Sequence, residues 1–189
     1  MNQIKTIVQA VHFILSRTGQ SDKLKIVKLM FLADKYHLQM FGRTITGDNF
    51  IAMKNGPVGS TTKDVLDFDM DWIEPAQFAY VDKCLERRGD FDYIAKSSGP
   101  AEYEMLSETD RKSLSAIIDR FGNLDHGSLI NITHRLSEWA QHENDLNAGV
   151  KKSVPIDTDE LFSQIPDDPL NVPAAIVEKS RAMYNGLLC

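Results

Sequence analysis

The sequence of 189 residues contains little cysteine, which limits both its chemistry and its expected location. The two cysteines, Cys84 and Cys189, are too few for a disulfide framework, and they do not show a metal-ligand spacing. A chain of this length can bury a hydrophobic core without such cross-links. Because a protein without disulfides suits a reducing compartment, we expect a cytoplasmic location.

Basic residues are also scarce relative to acidic ones. The 21 Lys and Arg against 27 Asp and Glu give a formal net charge of −6. Binding to a bare phosphate backbone depends on Lys and Arg, so a nucleic-acid partner is not expected. Lys23, Lys25 and Lys28 form a candidate basic patch, which we interpret as the solvated face of a helix.

Long apolar runs and cleavage signals are absent. No stretch approaches the roughly 18 uninterrupted apolar residues of a membrane span, so none is expected. The apolar run within residues 1–17 is broken by Gln9 and His12 and lacks a small-residue cleavage site. We therefore do not expect a signal peptide.

Motifs of known catalytic sites are missing as well. The sequence contains neither a Walker loop nor a dinucleotide fingerprint, and it has no G-x-S-x-G elbow or HExxH helix. The segment GPVGS at 56–60 precedes a predicted helix, where backbone N–H groups can bind an anion. Because Pro57 removes one of these donors, we interpret the segment as a tight strand-to-helix turn.

The first 70 residues carry strong helical signals. Apolar residues recur at helical spacing over 3–17, and a second helix is predicted over about 22–40, capped by Ser21 or Asp22. This second helix is apolar on nearly every side, which is typical of a central, buried helix. A short strand over 50–54 and a third helix beginning near Pro57 follow, and residues 67–71 are predicted to form a loop.

The second half of the chain mixes strand and helix signals. Residues 78–106 alternate in the manner of a hairpin, with a turn over 97–100. A helix is predicted from Ser107 to Gly122, and another over about 127–145 that breaks near Ser137. After Gly149, prolines separate two short helices at about 157–165 and 173–187. We predict a mainly α, compact helical domain over 1–150 around the buried central helix, with a small antiparallel β element, and a C-terminal helical extension over 151–189.

Three sets of residues suggest chemistry. Asp34 and His37 lie three residues apart and share a helical face, so a metal-assisted hydrolase is one hypothesis. Two ligands are too few for a zinc site, however, and a buried pair satisfied by hydrogen bonds is the favoured interpretation. Three histidines spaced by eight are interpreted as surface or capping residues: His126, His134 and His142. A helix-turn-helix formed by the first two helices is disfavoured, because a recognition helix needs an exposed polar face.

The polar residues of the second helix and the following segment resemble the Panacea domain, the family of SocA-like antitoxins and phage-associated proteins. The resemblance is dense over 24–67 and sparser over 106–140. It rests on these segments: Lys28-Leu29, Ala33 to His37, Gly42-Arg43, Ile45 to Asp48, Ala52 to Lys54, Gly56 to Val58, Thr133-His134 and Trp139.

The resemblance implies a mainly helical domain and an antitoxin that binds and neutralises a protein toxin, usually encoded nearby. Members of the family occur in bacteria, prophages and phages, and one type delivers its toxin to a protease. A proteolysis adaptor and a phage-associated interaction protein therefore stay open as alternatives. The family has no established catalytic residues, so we predict no enzyme activity and no metal or cofactor. A structural role is predicted for nine motif residues: Asp34, His37, Gly47, Asp48, Gly56, Pro57, Thr133, His134 and Trp139.

The last predicted helix supplies the candidate partner-binding residues. Ile176, Met183 and Leu187 lie on one face of it, and amphipathic helices commonly dock into a groove of a partner. Packing of this face on its own domain is the alternative, and a homodimer through the same face also stays open.

Overall fold

Helices dominate the chain, in agreement with the predicted mainly α class. The computed structural model describes residues 2–68 and 73–187. Within these ranges it contains a 3-10 helix at Thr158–Phe162 and the following α-helices: α1 (Asn2–Thr18), α2 (Lys23–Phe41), α3 (Ser60–Asp67), α4 (Pro75–Cys84), α5 (Glu108–Phe121), α6 (His126–His134), α7 (Ser137–Ala140), α8 (Glu143–Asn147) and α9 (Ala174–Tyr184).

The predicted small antiparallel β element is present as two three-stranded sheets. The strands are β1 (Ser21–Asp22), β2 (Phe50–Met53), β3 (Gly56–Gly59), β4 (Leu85–Arg88), β5 (Asp92–Ala95) and β6 (Ser153–Ile156). One sheet has the order β1-β5-β4 and the other the order β3-β2-β6. In the second sheet, Ile51 of β2 pairs with Val58 on one side and with Pro155 on the other.

Helix α2 buries 13 of its 19 residues and contacts α1, α5, α6, α9 and β3. Its bounds follow from local chemistry. The Asp22 carboxylate accepts a hydrogen bond from the Lys25 N–H (3.0 Å) at the N-terminus, as expected of an N-cap. Gly42 ends the helix with a left-handed φ of 71°, and its N–H donates to the Leu38 carbonyl.

The prediction that a helix begins at Pro57 is wrong. Residues Gly56–Gly59 form strand β3, and α3 begins at Ser60. Because β3 lies at the edge of its sheet, a residue without an N–H is tolerated there. The helical signal of Pro57 is thus overridden by pairing with β2.

The predicted hairpin is also displaced. The two strands are β4 and β5, with Gly89 in the connecting turn at a φ of 64°, whereas Tyr103 and Met105 lie outside any strand. Residues 75–84 form α4 instead of a strand. Pro75 stands at the start of this helix, and a capping box between Glu74 and Gln77 stabilises its first turn.

The segment after residue 150 packs against the rest of the described chain. Strand β6, which the sequence analysis missed, pairs with β2, and six apolar residues of the segment are buried in the same core: Ile156, Leu161, Phe162, Leu170, Val172 and Val177. The division at residue 150 stays a prediction. Most of the loop predicted over 67–71 lies outside the described residues.

Candidate functional site

Asp34 and Asp48 hold the segment between α2 and α3. The Asp34 carboxylate accepts hydrogen bonds from the Ile45 N–H (2.7 Å), the Thr46 N–H (2.9 Å) and the Thr46 hydroxyl (2.7 Å). Burial raises the pKa of Asp34 to about 6, although these hydrogen bonds act in the opposite direction. Gly47 supplies the left-handed turn, with a φ of 61°, that leads from this cluster to Asp48.

The Asp48 carboxylate binds backbone N–H groups at the N-terminus of α3, although Asp48 is not adjacent to that helix in the sequence. It accepts from the N–H groups of Asn49, Thr61 and Thr62 and from the Thr62 hydroxyl, at 2.8–2.9 Å. Two of these N–H groups belong to the first turn of α3, which has no side-chain cap from Gly59. Asp48 thus takes over the capping role.

His37 lies on the same helix as Asp34 but contacts different partners. Its Nδ1 lies 2.7 Å from the Arg43 carbonyl, and its Nε2 lies 3.1 Å from the Thr109 hydroxyl and 3.0 Å from the Asp110 carboxylate. Burial alone would raise the pKa of Asp110, but hydrogen bonds from His37 and Ser107 and the charge of Arg43 lower it to about 2.

Lys28 was predicted to lie on a solvated helix face, and this prediction is wrong. The side chain is fully buried, and its ammonium donates to the Pro57 carbonyl at 2.8 Å. The lysine lies within the apolar part of α2, where the helix has no solvated side. Burial lowers the pKa of Lys28 to about 7.

Two motif residues, Gly56 and Thr133, lie beside this lysine. Gly56 has a φ of 100°, and a Cβ atom there would lie 2.8 Å from the Lys28 Nζ and 2.9 Å from the Thr133 hydroxyl. Only glycine combines that backbone conformation with so close an approach. The Thr133 hydroxyl donates to the Leu129 carbonyl (3.0 Å).

The His134 ring stacks on Trp139 at a centroid distance of 3.5 Å, and the Trp139 indole N–H donates to the Met53 carbonyl (2.7 Å). Burial and the nearby Lys28 charge lower the pKa of His134. Its Nε2 is buried and has no hydrogen-bond partner within residues 2–68 and 73–187. His134 is thus half-buried and stacked on Trp139, whereas His126 is exposed and contacts Asp22 at 3.1 Å.

The structure contains a buried ion pair that was not predicted from the sequence. Lys35 Nζ lies 2.7 Å from the Glu138 carboxylate, and both side chains are fully buried. Lys35 also donates to the Ser163 carbonyl (3.0 Å), and Gln39 donates to the Leu161 carbonyl (2.9 Å). The sequence signal was a lysine inside an apolar helix, which does not distinguish a buried side chain from one that extends to solvent.

The three candidate partner-binding residues lie in different environments. The helix predicted over 173–187 ends earlier, at Tyr184, so that Leu187 lies beyond α9. Ile176 is half-buried and packs against the core, whereas Met183 and Leu187 are exposed. Two further apolar residues are exposed, Phe41 at the end of α2 and Tyr184 at the end of α9. We call this set the end patch, and its members with their exposed fractions are Phe41 (36%), Met183 (48%), Tyr184 (43%) and Leu187 (75%).

Close packing between α2 and α9 brings the end patch together. A Cβ atom at Gly42 would lie 2.8 Å from the Ser180 carbonyl and 3.3 Å from the Met183 Cβ. The Tyr184 ring also contacts Phe162 at a centroid distance of 5.6 Å. Phe41, Met183 and Tyr184 are therefore presented by packed helices, whereas Leu187 lies in the turn after α9.

Comparison with known protein families shows to which family the chain belongs. A family model described as "Antitoxin SocA-like, Panacea domain" matches residues 26–140. The chain belongs to this family. No curated protein and no solved structure matches it significantly. All nine motif residues of the SocA-like chain lie within the matched range, whereas every member of the end patch except Phe41 lies beyond it.

Two further observations concern membranes and metals. None of the helices in the described ranges is long and apolar enough to cross a membrane. Within the same ranges, no group of three or more His, Cys, Asp or Glu side chains is arranged to hold a metal ion.

Proposed function

We propose that this chain is a non-catalytic antitoxin that neutralises a partner protein toxin by binding it directly. Membership of the SocA-like family supports the general role. The observation that carries the binding mechanism is the end patch, where four apolar side chains cluster at the surface. Single exposed apolar residues are normal on a protein surface, but a cluster of them is typical of an interaction site.

The arrangement of α9 suits presentation of such a surface. Val177 and Ser180 are buried, and Arg181 forms an ion pair with Asp159 of the 3-10 helix. These contacts fix one side of α9 and leave Met183 exposed, with Leu187 exposed just beyond the end of the helix. Ile176, which we predicted to bind the partner, is better placed to hold the helix on its own domain.

Catalysis has less support than binding. Both oxygens of Asp34 and both ring nitrogens of His37 have hydrogen-bond partners within the protein. A hydrolytic role would require them to release these partners, several of which fix the backbone of the loop after α2. We therefore infer that Asp34, His37 and the other motif residues act in the structure of the domain.

The test is co-expression with the toxin candidate encoded by the neighbouring gene. Met183→Glu and Leu187→Glu each place a charge in the end patch, where burial against a partner would be unfavourable. We expect each variant to lose growth rescue and co-purification with the toxin. Because both side chains are exposed, the fold should be retained, and circular dichroism checks this.

Phe91→Glu is the matched control. Phe91 is 70% exposed, and its carbonyl accepts from the Lys23 N–H at the start of α2. The end patch lies at the other end of this 19-residue helix, about 28 Å away along its axis. Phe91→Glu should rescue growth like the wild type. Full rescue by both end-patch variants would contradict the proposed surface.

The same experiment addresses the alternative of a proteolysis adaptor. Co-expression in a host that lacks the main cytoplasmic proteases separates the two mechanisms. Rescue that persists there, with toxin and antitoxin recovered as a complex, supports direct binding. Rescue that disappears, together with stable toxin, would favour delivery to a protease.

A further inference from the structure

A lysine-rich cavity opens between α2, α3 and the sheet formed by β2, β3 and β6. Its volume is about 190 Å³. Five lysines contribute to its lining: Lys23, Lys28, Lys54, Lys63 and Lys152. This concentration of positive charge contrasts with the net charge of −6 of the whole chain.

The charges around the cavity do not balance. Lys23 and Lys63 both contact Asp67, and Lys63 also lies 3.2 Å from Asp64. Lys54 and Lys152 form no ion pair with any residue that the structure describes. With Lys28 included, five cationic side chains thus face two carboxylates.

Lys28 is the unusual member of this set. Its ammonium is fully buried, it has no carboxylate partner within the described ranges, and only the Pro57 carbonyl accepts a hydrogen bond from it. An ammonium group has three donors, so two of them stay available. The lysine lies against Gly56, which also lines the cavity. Because glycine has no side chain, nothing at position 56 blocks a group in the cavity from the Lys28 amine.

The walls and the size of the cavity restrict its ligand. Leu24, Val27 and Val58 provide apolar walls between the lysines. The volume lies below the roughly 300 Å³ at which pockets for drug-sized ligands begin. The fitting ligand is therefore small, and it combines an anionic head with a short apolar stem.

We propose that this cavity is a binding site for a small organic anion, a carboxylate on a short alkyl stem, whose head pairs with Lys28 and whose stem contacts the apolar walls. The charge of the rim lysines attracts the anion, and Lys28 supplies a desolvated donor at the inner end. Charge-assisted hydrogen bonds of this kind are stronger than neutral ones. This proposal does not depend on the antitoxin role.

The test is a titration of the full chain with three probes, followed by the amide NMR signals of Gly56 and Val58. Butyrate carries both the anion and the stem, inorganic phosphate carries only the anion, and 1-butanol carries only the stem. We expect saturable shifts with butyrate and weaker binding of the other two probes. Equal binding of 1-butanol would overturn the role of the lysines, and equal binding of phosphate would overturn the role of the apolar walls.

Two variants localise the binding. Lys28→Met keeps the length of the side chain and removes the charge, and it should weaken butyrate binding about tenfold. Lys112→Met, on the exposed face of α5, is the control and should bind butyrate like the wild type. Unchanged affinity in Lys28→Met, or no saturable shift in the wild type, would refute the proposal.

A pH series adds an independent readout. Only the ammonium form of Lys28 pairs with an anion, and its pKa of about 7 predicts binding about tenfold weaker at about pH 8.5 than at about pH 6.5. His134, whose pKa is lowered, stays mainly neutral at both values. The other titratable groups at the cavity are Lys23, Lys54, Lys63, Lys152 and the paired Asp64 and Asp67. The difference between wild type and Lys28→Met isolates Lys28 from these groups, and equal pH dependence in both would count against it.

Discussion

Replacing Lys28 by methionine should stabilise the protein at neutral pH. The pKa of Lys28 lies at about 7 instead of its ordinary value of 10.5, and burial is the cause. At about pH 7 this difference corresponds to roughly 4 kcal/mol of unfavourable free energy in the folded state. Methionine avoids this cost but leaves the Pro57 carbonyl without its donor, which costs about 1–3 kcal/mol. We therefore expect a net increase of roughly 1–3 kcal/mol in the free energy of unfolding.

The pH dependence provides a sharper test than the net value. The folded protein loses the Lys28 proton near pH 7, whereas the unfolded chain keeps it up to about 10.5. Because the unfolded state then binds more protons, the wild-type free energy of unfolding should rise with pH between these values. The expected gain from this one group is about 2 kcal/mol between about pH 7 and about pH 9. Lys28→Met should lack this gain.

Urea unfolding followed by circular dichroism at the two pH values measures both quantities. Lys112→Met serves as the control, because Lys112 is exposed and pairs only with Glu108 on its own helix. It should change stability by less than about 1 kcal/mol at either pH. Parallel pH dependence in the wild type and Lys28→Met would refute the assignment of Lys28 as a buried, desolvated amine.

Other buried polar contacts give three further predictions. Lys35→Met should lower the free energy of unfolding by roughly 3–5 kcal/mol, because it leaves the buried Glu138 carboxylate without its lysine partner. The double variant Lys35→Met/Glu138→Leu should recover most of that loss, and urea unfolding measures both. Asp48→Ala removes four hydrogen bonds, three of them at the start of α3, and should lower thermal stability by roughly 2–4 kcal/mol. A loss below about 0.5 kcal/mol would contradict the capping role. Gly56→Ala should destabilise the protein by more than about 1 kcal/mol, since the new Cβ atom would meet the Lys28 amine. An unchanged melting temperature would argue against this packing.

Local chemistry made much of the helical framework predictable. Asp22 and Gly42 bound α2, and Ser107 begins α5; each is a residue type whose preference for that position has a simple physical cause. The elements that were mispredicted depend on strand pairing, which the preferences of single residues do not reveal. Strand β3 forms because it pairs with β2, and β6 joins the same sheet from about 100 residues away.

The same limit applies to the candidate site, where the sequence identified residues but not the contacts between them. The resemblance identified the motif residues, but not that Lys28, Gly56 and Thr133 meet at one place. A lysine in an apolar helix carries the same local signal whether it is buried or extends to solvent. The last helix was predicted to reach residue 187, whereas α9 ends at Tyr184. Periodicity alone does not distinguish Ile176, which packs on the core, from Leu187, which is exposed beyond the helix.

The central claim is that the SocA-like chain neutralises its toxin by direct binding. The most direct measurement mixes the purified chain with the purified product of the neighbouring toxin gene, in the absence of any protease, and follows toxin activity as the chain is titrated. Our account predicts complete inhibition near equimolar amounts, together with a stable complex on size-exclusion chromatography, and loss of both with Leu187→Glu. Full toxin activity at excess antitoxin, with no complex formed, would contradict it.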